Sequence, residues 1–168
     1  MHKEASPQKD LTTLSGKYLT FVLGPECYGI PILKVSEIIR LQPITSVPNM
    51  PEYLKGVLNL RGKIIPILDL RIRLQLPAED SELACIIVVG LQSAEGKTAH
   101  LGMIVDSVEE VVTVSGSDID PVPHFGSSIA KDYIRGIAKL KGHIKTLLDI
   151  DKLICDATLK EISKGTNT

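Results

Sequence analysis

At 168 residues, with 43% hydrophobic residues and a formal net charge of −1, the chain has enough apolar material for a core and no strong field to gather nucleic acid or an acidic membrane. Only 4% of residues are aromatic and none is Trp, so bases find no stacking platform. Cys27, Cys85 and Cys155 are odd in number and far apart, which suits buried free thiols better than a disulfide or zinc framework.

Residues 1–15 are polar, lack periodicity and contain no apolar secretion segment, so a flexible tail and a cytoplasmic location are expected. Tyr18–Leu23 reads as a strand, Gly24-Pro25-Glu26 as a turn, Cys27–Lys34 as a second strand and Val35–Leu41 as a third. Pro51 is placed to open a short helical turn that Gly56 closes. Val57–Leu60 and Lys63–Leu70 form a hairpin around Arg61-Gly62, where glycine supplies positive φ. Arg71 and Arg73 alternate, which places both on one solvated strand face. Gln75–Glu82, with its proline and charges, reads as a junction.

The second half repeats this grammar. The apolar run Leu83–Leu91 is too short to span a bilayer as a helix and suits a buried strand, with Ala84–Val89 at its centre. Leu101–Val105 and Val108–Val112 follow as strands. Ser127 and Ser128 cap a short helix that Gly136 stops, Leu140-Lys141-Gly142 makes a tight turn, and Asp151–Lys164 favours a C-terminal helix.

The repeat is explicit in one segment. Tyr53–Leu70 (YLKGVLNLRGKIIPILDL) returns as Tyr133–Ile150 (YIRGIAKLKGHIKTLLDI). Tyr, Gly, Leu, Gly, Ile, Leu and Asp recur at 53/133, 56/136, 60/140, 62/142, 64/144, 68/148 and 69/149, and six further pairs exchange like for like. Each half then offers about five short strands, too few to cover a flat sheet, so closure into a small barrel is expected. Two five-stranded barrels side by side, with short helices and a C-terminal helix, make a mainly β fold. The expected units are a tail over 1–15, two lobes within 16–153, and a helix and tail over 154–168. The lobes divide at the junction into 16–76 and 83–150 or, if strands exchange, into 16–30 plus 80–150 and 31–79.

Catalytic signatures are missing. There is no GxSxG, GxxxxGK[ST] or GxGxxG, and His2, His100, His124 and His143 lack metal-ligand spacing. Asp149 and Asp151 form a DxD, but Asp69 stands in the first copy without a second acid two residues on. A structural Asp at each strand end is the better reading. The expectation is no catalytic, cofactor or metal residue; a small β-barrel enzyme is the weakest alternative.

Three segments, 18–40 (YLTFVLGPECYGIPILKVSEIIR), 44–71 (ITSVPNMPEYLKGVLNLRGKIIPILDLR) and 101–112 (LGMIVDSVEEVV), resemble the CheW family of chemotaxis coupling proteins. The likeness runs from about Tyr18 to Leu153. The resemblance implies two SH3-like β-barrels and a non-catalytic scaffold. Its expected partners are the regulatory domain of the histidine kinase CheA and the cytoplasmic hairpin tip of chemoreceptors, with recruitment to membrane receptor arrays. An adaptor in a non-flagellar pathway for twitching, gliding or development is the alternative. Carried over by motif, the coupling residues are Val35 and Glu37, and the turn motif gives Lys55, Gly56, Asn59, Arg61 and Gly62. The apolar groove between the barrels draws on Val35, Ile38, Val105 and Val108. Taken bottom-up, Gly56 and Gly62 are backbone positions that a Cβ disturbs and Arg61 reads as a solvated turn residue; the resemblance implies instead an Arg61 that pairs with Glu37 or a partner carboxylate.

Overall fold

The computed structural model describes residues 13–92, 96–122 and 133–154. The strands are β1 (Gly16–Leu23), β2 (Glu26–Pro31), β3 (Val35–Arg40), β4 (Leu54–Leu60), β5 (Lys63–Asp69), β6 (Cys85–Gln92), β7 (Thr98–Val105), β8 (Ser107–Val114), β9 (Ile119–Asp120), β10 (Ile134–Leu140) and β11 (His143–Leu148). Two helical turns, α1 (Leu70–Arg73) and α2 (Ile150–Leu153), each follow one copy of the repeated segment. The tail over 1–12, most of the helix expected before Gly136, and the continuation of the C-terminal helix beyond Ile154 lie outside the described residues.

The strands form two sheets, ordered β8-β1-β2-β11-β10-β9 and β3-β6-β7-β5-β4. The shared pattern is clear once the repeat is overlaid: a third strand, a first, a second, a fifth and a fourth. In each sheet the first and second strands come from one half of the chain and the other three from the other half. The seam is a parallel contact, β2 with β11 and β5 with β7, whereas all other pairings are antiparallel. The halves therefore exchange hairpins. Neither expected division matches the strand membership. One lobe is built from 16–31, 107–120 and 134–148, and the other from 35–69 and 85–105.

The mainly β, SH3-like two-lobed architecture is present, but neither ladder closes into a ring. The first sheet ends at β8 and β9 and the second at β3 and β4. The first has six strands because the two-residue β9 pairs with β10. In the second lobe the matching position is a single bridge, Thr45 to Val57, with hydrogen bonds of 3.0 and 2.8 Å. These added segments explain the repeated glycine. Gly56 and Gly136 lie inside β4 and β10, not at the end of a helical turn as expected. A Cβ on Gly56 would fall on the Thr45 carbonyl, and Gly56 has φ +145°. A Cβ on Gly136 would meet Ile119 Cγ2 at 2.7 Å and Asp120 O at 3.3 Å. Each glycine admits an extended segment that covers the sheet's edge.

The two hairpin turns have the same backbone. Arg61-Gly62 has φ values of 52° and 86°, and Lys141-Gly142 has 52° and 80°. Two positive φ values in a two-residue loop match a type I′ turn. Asn59 Oδ1 accepts from the Gly62 amide at 2.9 Å and so fixes the first turn.

Three apolar clusters hold the lobes. Leu58, Ile65, Ile67, Ile86, Val88 and Ile104 fill one lobe, and Leu14, Tyr18, Val114, Ile119, Ala138 and Leu147 fill the other. The largest cluster lies between them and draws on both sheets, with Leu19, Phe21 and Leu148 from one and Leu68, Ile87 and Met103 from the other. The two lobe interiors differ in polarity. Ile65 is matched in the repeat by Lys145, which is also buried and whose Nζ lies 3.0 Å from Glu109 Oε1. That hydrogen bond from Lys145 is the main reason the Glu109 carboxyl sits below its ordinary value of 4.5. A depressed folded-state pKa gives stability that is present above the unfolded value and lost as pH falls through the folded one. Acid unfolding followed by circular dichroism should therefore show a loss beginning below about pH 5 that Glu109→Gln flattens.

The short helices carry the aspartates of the repeat. Asp69 caps α1 by accepting from the Arg71 amide at 3.0 Å, and Asp149 caps α2 by accepting from the Lys152 amide at 3.1 Å. This is the structural role expected of the repeated Asp. Arg71 and Arg73, however, are not a solvated strand face. Arg71 is buried in α1, and Arg73 inserts between the rings of Tyr53 and Tyr133 at 5.3 and 5.2 Å from their centroids. The two tyrosines are the first residues of the two repeat copies, so one cation joins both.

Candidate partner-binding surface

The clearest polar feature on the surface is an ion pair at one end of the second lobe. Arg61 stands on the β4–β5 turn and Glu37 on the edge strand β3. Arg61 Nη1 donates to Glu37 Oε2 at 2.7 Å and Nη2 donates to Oε1 at 2.5 Å. The type I′ turn projects the guanidinium, and Glu37 meets it as a two-pronged partner. These hydrogen bonds hold the Glu37 carboxyl below its ordinary value. Ser36, Lys63, His100 and Ile65 complete a depression of about 260 Å³ around the pair.

The first lobe carries the counterpart, a depression of about 340 Å³ lined by Glu110, Leu140, Lys141, His143 and Lys145. Glu110 and Lys141 stand where Glu37 and Arg61 stand, but no ion pair joins them. Ile64 and its repeat partner Ile144 are 56% and 63% exposed beside the two turns.

A second feature is apolar. A register shift between Val35 and Glu37 in β3 sets Val35 opposite Val89 and Ile38 opposite Ile87. Both partners belong to the shared core, so the bulge brings Val35 and Ile38 onto one face, which simple alternation does not do. The β1–β8 pairing has the same irregularity and sets Val108 opposite Phe21 and Val111 opposite Leu19. Val35 and Val108 pack on the shared core from opposite sheets. Ile38 and Val111, 44% and 49% exposed, extend these two strips into solvent. β3 and β8 are both edge strands.

The sequence-derived site residues separate into three groups. Glu37 and Arg61 form the exposed pair, with Lys55 also exposed on β4. Val35, Ile38 and Val108 form the apolar strips. Asn59 and Gly62 build the turn, and Gly56 is buried in β4, so these three shape the surface through backbone geometry. Val105 is a correction to the expected groove lining. It ends β7 with 0% exposure inside the shared core, because the chain turns into β8 only after it. Val111 was missed. Its repeat relation to Ile38, at the same offset of 73 that relates Val108 to Val35, is the signal that identifies it. Among the described residues no group of three or more His, Cys, Asp or Glu is arranged to hold a metal, and no helix is long and apolar enough to cross a membrane.

Two edge strands with apolar strips, an exposed two-pronged ion pair and a duplicated lobe define a protein-binding β module. The comparisons agree on which one. The sequence profile of the CheW-like domain matches residues 17–158, and the chain belongs to that family. It is 38% identical over 143 residues to the chemotaxis protein CheW of Klebsiella aerogenes, covering 84% of this chain and 83% of the relative. It is 32% identical over 145 residues to the chemotaxis protein CheW of Rhizobium meliloti, covering 86% and 91%. The crystal structure of the scaffolding protein TtCheW from Thermoanaerobacter tengcongensis superposes with a TM-score of 0.74 at 32% identity, covering 86% of this chain and 96% of that one.

Proposed function

We propose that this CheW-family protein is a non-catalytic adaptor that couples the cytoplasmic hairpin of chemoreceptors to the regulatory domain of the histidine kinase CheA, and works on the cytoplasmic side of receptor arrays. The observation that carries the reading is the exposed Glu37–Arg61 pair beside the apolar strip of Val35 and Ile38, on residues that match the family's coupling motif. A receptor hairpin is an amphipathic helix pair, and the strips of Val35, Ile38, Val108 and Val111 offer it an apolar seat of helix-in-groove type. The Glu37–Arg61 end offers a polar contact to the kinase domain, and Lys55, exposed at the opposite end of β4, offers a second polar point. Neither contact needs to be tight by itself. An adaptor that holds two partners raises the effective concentration of each for the other.

Arg61→Glu should abolish receptor control of CheA in a reconstituted assembly and shift folding stability by only about 0.5 kcal/mol, since the side chain is exposed. The like-charge clash with Glu37 is relieved in the double variant Glu37→Arg/Arg61→Glu, which separates loss of the pair from loss of the individual charges. Normal coupling by the single variant would refute the assignment.

A further inference from the structure

The chain passes between the two sheets at only two places among the described residues. Ile32–Lys34 leads from β2 in the first sheet to β3 in the second, and Asp106 leads from β7 back to β8. The registers set them apart, Val35 opposite Val89 and Val105 opposite Cys85 on β6, and two such passes between two packed bodies have the layout of a hinge. Each pass is held by an ion pair to the helical turn after a repeat copy. Lys34 Nζ lies 2.7 Å from Asp151 Oδ2 in α2, and Asp106 Oδ1 lies 3.0 Å from Arg71 Nη1 in α1. Arg71 and Asp151 occupy the position just after the two repeat copies with opposite charge, so the two fastenings are alike in place on the helical turns and reversed in sign.

They are unequal in strength. Arg71 is 2% exposed and also bonds Asp69, Asp80 and the Glu79 carbonyl. The other oxygen of Asp106 accepts from the Gly24 amide at 2.6 Å, so this one carboxylate joins α1 of the second lobe to the β1–β2 turn of the first. The Lys34–Asp151 pair is 29% and 45% exposed and has no such network. Exposed pairs contribute little and are screened by salt, while buried, multiply bonded ones are not.

We propose that the lobes pivot about the Asp106 crossing and that the Lys34 crossing is the yielding side of the hinge. β3 begins directly after Lys34, so yielding there moves Val35 and Glu37 relative to Val108. Two amides report on the two crossings. Val35 N–H donates to Ile32 O, and Asp106 N–H donates to Val22 O at 3.1 Å.

Native-state hydrogen exchange on the full chain tests the hinge without any partner. Raising NaCl from about 0.05 M to about 1 M should lower protection of the Val35 amide about twofold relative to the Asp106 amide. Asp151→Asn should produce that loss at low salt and remove the salt response. Lys34→Met should do the same, and the exchanged pair Lys34→Asp/Asp151→Lys should restore both. Equal salt responses at the two crossings, no response at Val35, or a response that survives in Asp151→Asn would overturn the proposal.

Discussion

Replacing Arg71 with methionine should lower the free energy of unfolding by about 4 kcal/mol in urea titrations, the largest loss expected from any charged residue of this chain. Its guanidinium binds Asp69 through Nε and Nη2 at 2.9 Å each, Asp80 at 2.7 Å, Asp106 at 3.0 Å and the Glu79 carbonyl at 3.1 Å. The hydrogen bonds it donates to Asp69 are the leading reason its pKa is raised further. Methionine preserves the bulk of the stem but leaves Asp69, 2% exposed, with no cation. The cost comes mainly from that stranded charge, not from the energy of the ion pairs themselves. Asp69→Asn in the same background should therefore recover part of the loss. Non-additivity of the two changes in a double-mutant cycle is the measurement that checks this.

Gly56→Ala should cost a similar amount, about 4 kcal/mol, for a different reason. The added methyl overlaps the Thr45 carbonyl, and φ of +145° is strained for any L residue. The carbonyl cannot give way freely, because it accepts from the Val57 amide at 2.8 Å. The control is Gly136→Ala at the matching position of the other lobe. There the nearest obstacle is the Ile119 Cγ2 methyl, which can shift, and φ is not positive. A markedly smaller loss of thermal midpoint for Gly136→Ala than for Gly56→Ala is the expected outcome.

Much of the fold was legible because its signals are local. The type I′ turns are written in Arg61-Gly62 and Lys141-Gly142, the strands in apolar runs, and the two-lobed plan in the repeat itself. Strand exchange was legible only as an alternative and in one direction: 16–30 joins the second half as that division has it, but the reciprocal transfer of β6 and β7 to the first half's strands was not foreseen. Hydrophobic patterns fix which face of a strand is buried but not which neighbour pairs with it, and the parallel seams between β2 and β11 and between β5 and β7 leave no mark in composition. The role of Gly56 was misplaced for a related reason: its partner, Thr45, arrives from an irregular segment with no strand pattern.

At the candidate surface, the Glu37–Arg61 pair was foreseen from side-chain chemistry and motif together. Val111 escapes sequence reading because the bulge in β8 breaks the period of two on which face assignments rest, whereas Val105 is misassigned because it ends β7 inside the shared core, before the chain turns into β8. Arg71 and Arg73 show the limit of reading charge as exposure. Each is withdrawn from water by partners far along the chain, Asp106 for one and Tyr133 for the other.

The swapped hairpins have a consequence for how such a molecule arose. A single ancestral half owns five strands but cannot complete a lobe with them, since its first two belong beside the other half's last three. Such a half becomes whole only as an interlocked homodimer, whose existence depends on its own concentration. Fusing the two genes frees assembly from dilution. It also lets the twin surfaces drift apart, one keeping an arginine–glutamate pair and the other a lysine under its floor.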